Sequence, residues 1–90
     1  MRYASRVDKN QADIVQALRD AGCYVWILGL PVDLLVGYNN HTFLVEIKDG
    51  PRKHLTRLQQ DFFGNWMGGT LCRINDVDGA LRMIGVKHDT

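Results

Sequence analysis

The sequence has few of the features that mark secreted, membrane or zinc proteins. Among 90 residues there are only two cysteines, Cys23 and Cys72, and neither belongs to a Cys-x-x-Cys pair. We therefore expect reduced core residues rather than a disulfide framework, a zinc site or a catalytic thiol. No apolar run approaches the roughly 18 residues that a membrane span needs, and the N-terminus lacks the apolar stretch of a signal peptide. The expectation is a single soluble, cytosolic domain over residues 1–90.

Ligands for other chemistries are missing as well. His41, His54 and His88 do not have the spacing of a zinc site. Glycine-rich phosphate loops are absent, since Gly68-Gly69 is typical of a helix end and a turn. The net charge of +1 excludes a histone-like polycation. A composition of 46% hydrophobic and 23% charged residues is instead that of an ordinary globular domain.

Helix and strand patterns alternate along the chain. Ile14, Val15 and Leu18 recur at helical spacing, and Gly22 follows as a stop signal. Asn39-Asn40 is typical of a tight hairpin between two strands. The pattern predicts one α/β unit with the order αβββαβα. Its helices are predicted over 9–21, 55–67 and 77–84, and its strands over 23–28, 33–38, 42–49 and 70–74.

The second predicted helix has an apolar stripe. Leu55, Leu58, Phe62 and Trp66 are expected to form its buried face. Gly64 lies inside this helix and should cost up to about 1 kcal/mol relative to alanine.

The third predicted strand carries charges where apolar residues would be expected. Side chains alternate along a strand, so Glu46 and Lys48 share one face while Val45 and Ile47 share the other. Both faces also carry apolar residues, which favours a central strand covered on both sides. Burying an ionised group is costly unless it is paired or binds a metal. A polar site is therefore expected here.

Asp33 begins the neighbouring strand of the predicted hairpin and should lie roughly opposite Glu46. Oxygen ligands from Asp33 and Glu46, together with the carbonyl of Ile47, suit Mg²⁺ or Mn²⁺. Lys48 could orient an attacking water or steady charge on a phosphate. The alternative is a buried Glu46–Lys48 salt bridge, with Asp33 capping a loop.

Basic residues follow the charged strand. Arg52, Lys53, His54 and Arg57 lie close together after Lys48 and could contact a phosphate-bearing ligand such as DNA. The alternative is a solvated loop and helix start.

Longer motifs give this pattern a context. VDLLVG, FLVEIKDG and LTRLQQDFFGNW, in that order, resemble the virus-type replication-repair nuclease (VRR-NUC) domain of the PD-(D/E)xK superfamily. RVDKNQADIVQALRDAG and DVDGALRMIG are similar to phage-type members, so the resemblance covers about residues 6–85. It implies a restriction-endonuclease-like core with a central mixed sheet flanked by helices. It also implies a Mg²⁺-dependent DNA endonuclease that hydrolyses phosphodiester bonds, leaves 5′-phosphate ends and acts as a homodimer on branched DNA such as four-way junctions.

The resemblance also implies roles for individual residues. Asp33 corresponds to the family's metal-binding aspartate, and Glu46 and Lys48 correspond to its ExK pair. Gln60 falls where the family carries a glutamine on the following helix, with Gln59 as an adjacent alternative.

The sequence departs from the family in three features. Pro31-Val32-Asp33 contains an extra valine, and the preceding loop lacks a glycine-rich segment. No glutamate is present in the first helix, where many superfamily members carry one. The candidates for that position are Asp8, Asn10, Gln11 and Asp13.

Two other classes of function stay open at this point. The chain could be a nuclease-fold DNA-binding protein with weak or no catalysis, although Asp33, Glu46 and Lys48 are all intact. A small structural or inhibitory phage protein would explain the core but not the charged strand. The expected dimer interface draws on four candidates, which are Trp26, Leu28, Leu30 and Tyr38.

Overall fold

The computed structural model describes residues 9–48 and 54–85, which form three helices and four strands. In chain order these are α1 (Lys9–Asp20), β1 (Tyr24–Ile27), β2 (Leu34–Tyr38), β3 (His41–Ile47), α2 (Arg57–Asn65), β4 (Thr70–Ile74) and α3 (Val77–Met83). The predicted order αβββαβα is confirmed. No helix among the described residues is long and apolar enough to cross a membrane.

A mixed four-stranded sheet with the strand order β1-β2-β3-β4 forms the centre of the fold. β1, β2 and β3 pair antiparallel, and β4 pairs parallel to β3. Asn39 and Asn40 form the predicted hairpin turn with positive φ angles of 51° and 68°, which asparagine tolerates better than most residues. This turn fixes the β2–β3 register, in which Leu34 lies opposite Val45. β3 is a central strand, as predicted.

One face of the sheet, here called the core face, is packed against α1 and α3. Its buried side chains come from all four strands and include Val25, Leu34, Val36, Val45 and Ile74. Helix α1 contributes Ile14, Val15 and Leu18 to this core, and α3 contributes Ala80. Cys23 is buried in the same core and Cys72 packs against it, both as free thiols. The predicted role of the cysteines as reduced core residues is confirmed.

The opposite face, here called the open face, carries the alternate side chains of each strand. In the register of the sheet, Trp26, Leu35, Leu44 and Leu71 form one row across the four strands. Glu46 belongs to the next row, opposite Arg73. Helix α2 lies between β3 and β4 in the chain, and its first turn reaches this face through the hydrogen bond from Gln59 to Glu46.

The predicted buried stripe of α2 is wrong. No residue of α2 is buried, Leu58 is 65% exposed, and Trp66, just beyond the helix, is 40% exposed. The reason lies at the start of the helix, where Thr56 is the N-cap and Gln59 completes a capping box. This cap sets the rotation of the helix so that the polar Gln59 contacts the sheet.

A tight turn after α2 depends on Trp66. The indole N–H donates a hydrogen bond to the Gly69 carbonyl at 2.8 Å, and the ring lies 5.3 Å from that of Phe62 between centroids. A Cβ atom on Gly68 would lie 2.3 Å from the Trp66 ring, whereas one on Gly64 would meet nothing within 4 Å. A side chain could therefore be added at Gly64 without a clash but not at Gly68.

Alanine should have opposite effects at these two glycines. Gly64→Ala should raise the free energy of unfolding by up to about 1 kcal/mol, because alanine loses less backbone entropy in a helix. Gly68→Ala should lower it by about 1–3 kcal/mol, because the Trp66 ring must move. Urea unfolding of both variants followed by circular dichroism measures these changes. Equal effects at the two positions would contradict the packing of Trp66 over Gly68.

Candidate active site

The strand register brings Asp33 to Glu46. Asp33 directly precedes β2, and continuing the Leu34–Val45 pairing by one residue places Asp33 opposite Glu46. The Asp33 Oδ2 atom accepts a hydrogen bond of 2.8 Å from the backbone N–H of Ile47. The predicted convergence of the two carboxylates is confirmed.

Glu46 is the most deeply buried charged side chain among the described residues, with 2% of its surface exposed. Its Oε2 atom accepts a hydrogen bond of 2.7 Å from Gln59 Nε2 and lies 3.4 Å from the Lys48 ammonium. Its Oε1 atom is buried and has no hydrogen-bond partner among the residues that the structure describes. An ionised carboxylate with one unsatisfied buried oxygen is costly. This oxygen is therefore open to a further ligand.

The Gln59 side chain is held in one orientation by two contacts: its Oε1 atom accepts from the Thr56 backbone N–H at 3.1 Å, and its Nε2 atom donates to Glu46 at 2.7 Å. The backbone N–H of Gln59 in turn donates to the Thr56 hydroxyl at 3.2 Å. Because a backbone N–H can only donate, the amide oxygen must face Thr56 and the amide NH₂ must face Glu46. The start of α2 is thereby joined to the buried carboxylate.

Gln59, not Gln60, contacts the candidate site. The Gln60 side chain is exposed and donates to the Leu55 carbonyl at 3.0 Å, on the outer side of the helix start. The sequence contained the signal for this choice, since Thr56 followed three residues later by Gln59 is a capping box. Beginning the predicted helix at Leu55 instead of Arg57 obscured it.

The pKa of Glu46 is raised above the usual value for glutamate. Burial of the carboxylate is the main cause, and the nearby negative charge of Asp33 acts in the same direction. Lys48 and Gln59 oppose the shift by stabilising the ionised form. The site thus holds a buried carboxylate near a second carboxylate, and a bound cation would favour the ionised form of both.

The donor set fits a hard divalent cation better than zinc. No group of three or more His, Cys, Asp or Glu residues that could hold a metal occurs within 9–48 and 54–85. Mg²⁺ commonly uses only one or two carboxylates and keeps several waters. Asp33 and Glu46 supply such a pair, and the unbonded Glu46 Oε1 supplies a free donor atom. In an extended strand the N–H and C=O of a residue point to the same side, so the Ile47 carbonyl also faces Asp33.

The first helix begins at the same end of the sheet. Asn10 donates a hydrogen bond to the carbonyl of Asn75, which directly follows β4. Gln11 is 6% exposed and lies on the buried side of the first turn of α1, whereas Asp13 is exposed. Asp8 lies outside the described residues. Of the four first-helix candidates, Gln11 has the burial expected of a residue directed toward the interior.

The predicted DNA-binding residues are only partly described. Arg52 and Lys53 lie outside the described residues, while His54 and Arg57 are exposed at and just before the start of α2. His54 and Arg57 therefore lie on the segment that carries Gln59 to the buried carboxylate.

The two thiols are poor candidates for catalysis. Burial raises the pKa of both Cys23 and Cys72 above the usual value for cysteine. A raised pKa disfavours the thiolate, which is the reactive form.

A groove runs along α2 beside the candidate site. Leu30 and Pro31 form one wall, Leu58, Asp61 and Phe62 form the other, and its volume is about 510 Å³. The first wall leads directly to Asp33, and the second begins one residue before Gln59. The two walls thus continue into the two segments that position the site.

No known protein family matches the sequence, and no curated protein or solved structure matches the chain. A functional assignment therefore rests on the geometry of the candidate site, which consists of Asp33, Glu46, Lys48 and Gln59.

The pKa of Glu46 should respond in opposite directions to its two charged neighbours. Asp33→Asn should lower the pKa, because it removes a negative charge, and Lys48→Met should raise it, because it removes the compensating positive charge. Glu46 is the only glutamate of the chain, so ¹³C-glutamate labelling gives a single side-chain signal for NMR titration. Shifts in the same direction for both variants would contradict the described electrostatics.

The free energy of unfolding should depend on pH through the protonation of Glu46. The folded chain holds the Glu46 proton more tightly than the unfolded chain, because the folded pKa is raised. The contribution of protonated Glu46 to the free energy of unfolding is therefore fully present below the pKa of the unfolded chain, about 4.3. This contribution is lost as the pH rises through the pKa of the folded chain. Relative to Glu46→Gln, the wild-type chain should lose free energy of unfolding from about pH 4 to neutral pH in metal-free buffer. Urea titrations of the two proteins at each pH measure the difference.

Proposed function

We propose that the chain is a metal-dependent DNA endonuclease with a restriction-endonuclease-like core, similar to the VRR-NUC domain. The observation that carries this proposal is the buried Glu46 Oε1 atom, which lies near a second carboxylate and has no hydrogen-bond partner within residues 9–48 and 54–85. A salt bridge kept only for stability would be expected to satisfy both oxygens. A carboxylate kept to bind a cation has a reason to leave one oxygen open.

The metal would be held by Asp33, by Glu46 and by the Ile47 carbonyl. When bound, Mg²⁺ or Mn²⁺ would polarise the scissile phosphate and offset the negative charge that develops on it. The protein supplies a fixed geometry for this ligand set, because Asp33 is anchored on the Ile47 N–H and Glu46 on Gln59.

Lys48 would act on the substrate side of the site. Its ammonium lies 3.4 Å from Glu46 Oε2, and its side chain keeps 18% of its surface exposed. A partly exposed, flexible ammonium can contact a phosphate oxygen or orient the water that attacks phosphorus. Loss of this positive charge would weaken the stabilisation of the transition state.

Gln59 would be a positioning residue. Its amide donates to Glu46 Oε2, which leaves the other oxygen, Oε1, for the cation. Because the same amide accepts from the Thr56 N–H, the first turn of α2 restricts the carboxylate to one orientation. Gln60, which the resemblance favoured, has no corresponding contact in this arrangement.

DNA would approach from the start of α2. Arg52, Lys53, His54 and Arg57 would contact the phosphate backbone, which gives binding that depends on salt and little on base sequence. The resemblance supports branched DNA, such as a four-way junction, as the preferred substrate, with the bacterial or phage-infected cytosol as its location. Hydrolysis would leave 5′-phosphate ends.

Cleavage assays with a matched pair of variants test the proposal. The wild-type chain should cut labelled four-way junctions, duplexes or single strands with Mg²⁺ or Mn²⁺ and should not cut them with EDTA. Lys48→Ala should reduce the rate by about 10²–10³-fold, the usual effect of removing one electrostatic contact to the transition state. Arg82→Ala removes an exposed positive charge from α3 and should leave the rate unchanged.

Binding measurements separate the nuclease from its main alternative. Calorimetric titration with Mg²⁺ should show binding by the wild-type chain that Asp33→Asn abolishes. DNA binding without cleavage and without Asp33-dependent metal binding would instead support a catalytically inactive DNA-binding protein. Absence of both activities would leave only a structural role.

The neighbouring glutamines provide a second matched pair. Gln59→Ala should lower activity or metal affinity by about 10–100-fold, because it frees the Glu46 carboxylate to rotate. Gln60→Ala removes only a contact to the Leu55 carbonyl and should change either quantity less than about 2-fold. Cleavage rates measured at several Mg²⁺ concentrations distinguish weaker metal binding from slower chemistry. A larger loss in Gln60→Ala would contradict this assignment.

A further inference from the structure

The groove beside α2 has the size of a small-molecule site. Its volume of about 510 Å³ lies within the range of roughly 300–1,000 Å³ that is typical of ligand pockets. We call it the α2 groove and define it by its lining residues, which are Leu30, Pro31, Leu58, Asp61 and Phe62. A specific protein interface uses about 20–30 residues on each side. A recess lined by so few residues therefore fits part of a small molecule or a nucleotide better than a folded partner.

The α2 groove lies next to the pair of carboxylates. Its first wall ends at Pro31, two residues before Asp33, and two residues of chain span at most about 7 Å. Its second wall begins at Leu58, and the next residue, Gln59, donates to Glu46 at 2.7 Å. A phosphodiester joins two nucleosides. If its phosphate is bound at the two carboxylates, one of these nucleosides lies beside the groove.

The walls of the groove suit an uncharged flat ring better than a phosphate. Apart from Asp61 its lining residues are apolar, and none of them is basic. The negative charge of Asp61 would repel the phosphate backbone. A nucleobase, in contrast, is uncharged. Cytosine, adenine and guanine also carry an exocyclic amino group, which can donate a hydrogen bond to a carboxylate.

Phe62 provides an aromatic surface that is already held in place. Its ring packs against that of Trp66 with 5.3 Å between the centroids, and the Trp66 indole N–H donates to the Gly69 carbonyl at 2.8 Å. A ring fixed in this way loses little freedom when a ligand stacks on it. Stacking on aromatic side chains is a common way for proteins to bind unpaired bases. Leu30, a candidate for the dimer interface, and Leu58 are 62% and 65% exposed, so a base in the groove would cover apolar surface that is open to solvent.

An extended peptide is a poorer occupant of this groove. Peptides that bind beside a sheet commonly pair with an edge strand, and the groove begins three residues after the edge strand β1. In the β1–β2 register the Val25 carbonyl points away from β2, and it accepts a hydrogen bond of 2.9 Å from the Arg19 side chain. The Cys23 N–H, just before β1, donates to the Leu18 carbonyl at 3.0 Å. A peptide that paired with this edge would compete with both bonds.

We propose that the α2 groove binds an unpaired nucleobase that carries an exocyclic amino group, with the base stacked on Phe62 and its amino group donating to Asp61. The proposal rests on the proposed nuclease function, because the phosphate attached to this nucleoside would be the one bound at Asp33 and Glu46. A base inside a duplex is stacked and paired, so it must leave the stack to enter a protein pocket. The preferred substrate is therefore DNA with an unpaired cytosine, adenine or guanine beside the cleaved bond, as in a bulge, a flap or an opened branch point.

Free nucleosides test the groove without any cleavage. Deoxycytidine, titrated at millimolar concentrations into the labelled chain, should shift the NMR signals of the Phe62 ring and the Leu58 methyl groups. Thymidine has a carbonyl in place of the amino group and should bind about 5–10-fold more weakly, because Asp61 then faces an acceptor. 2-Deoxyribose has no base and should shift neither signal.

Two aspartates give a matched pair of variants. Asp61→Asn should bring the affinities for deoxycytidine and thymidine to within about 2-fold of each other, because an amide can donate as well as accept. Asp20→Asn removes the same charge at the exposed end of α1, which packs on the core face, and should keep the preference for deoxycytidine. Phe62→Leu should weaken the binding of both nucleosides by about 10-fold, because the stacking surface is lost. Circular dichroism should show that all three variants remain folded.

Cleavage of bulged DNA tests the same contact in a substrate. A duplex with one bulged cytosine should be cut at least about 5-fold faster than the same duplex with an abasic nucleotide at that position. Equal cutting of these two duplexes would overturn the proposal. So would the absence of any shift in the groove signals, or equal affinities of the wild-type chain for deoxycytidine and thymidine.

Two further outcomes separate this proposal from its alternatives. Shifts of the Phe62 and Leu58 signals with protein concentration alone would place a second copy of the chain in the groove and overturn the base site. A chain that binds deoxycytidine in the groove but cuts no DNA would support the base site and contradict the nuclease function. A chain that cuts DNA but binds no nucleoside would do the reverse.

Discussion

The fold is organised around one buried carboxylate, one of whose oxygens finds no hydrogen-bond partner within the described part of the chain. Glu46 lies on a central strand, opposite Asp33 and within 3.4 Å of the Lys48 ammonium. Ionised groups are seldom buried in this way, because the loss of hydration costs several kcal/mol. The hairpin register, the position of Lys48 and the start of α2 all converge on this group. The candidate site is therefore a property of the sheet itself and not of a loop added to it.

Helix α2 has two different relationships to the rest of the chain. Its first turn is fixed by the reciprocal Thr56–Gln59 cap and by the amide that reaches Glu46. In contrast, none of the apolar side chains of this helix is fully buried. In most small domains a helix is held by its apolar face and its ends fray. Here a polar contact at one end is the better defined attachment, which links the geometry of the carboxylate to the placement of the helix.

Much of this architecture could be predicted from local signals. The alternation of side chains along 42–49 predicted that Glu46 lies on the face of the sheet opposite to that of Val45 and Ile47. Asn39-Asn40 predicted the hairpin turn. Together, these two signals predicted that Asp33 lies beside Glu46. The choice between Gln59 and Gln60 could not follow from apolar spacing alone, since adjacent helix residues differ by about 100° and the cap decides which one faces the sheet. The exposure of Leu58 had a different cause. The apolar spacing of a helix predicts which of its faces is suited to burial. It does not predict whether the same chain provides a surface that covers this face.

The hydrogen bond from Arg19 to Val25 has a consequence for the size of any assembly. An unpaired edge strand next to an apolar sheet face can recruit further chains without limit, because each added strand presents a new edge. By occupying the outward carbonyl of Val25, Arg19 hinders that route on this side of the sheet. In contrast, a contact between two faces related by a twofold axis buries the same surface on both chains, so that no further chain can bind there. A single guanidinium thus helps to separate finite association from fibre growth.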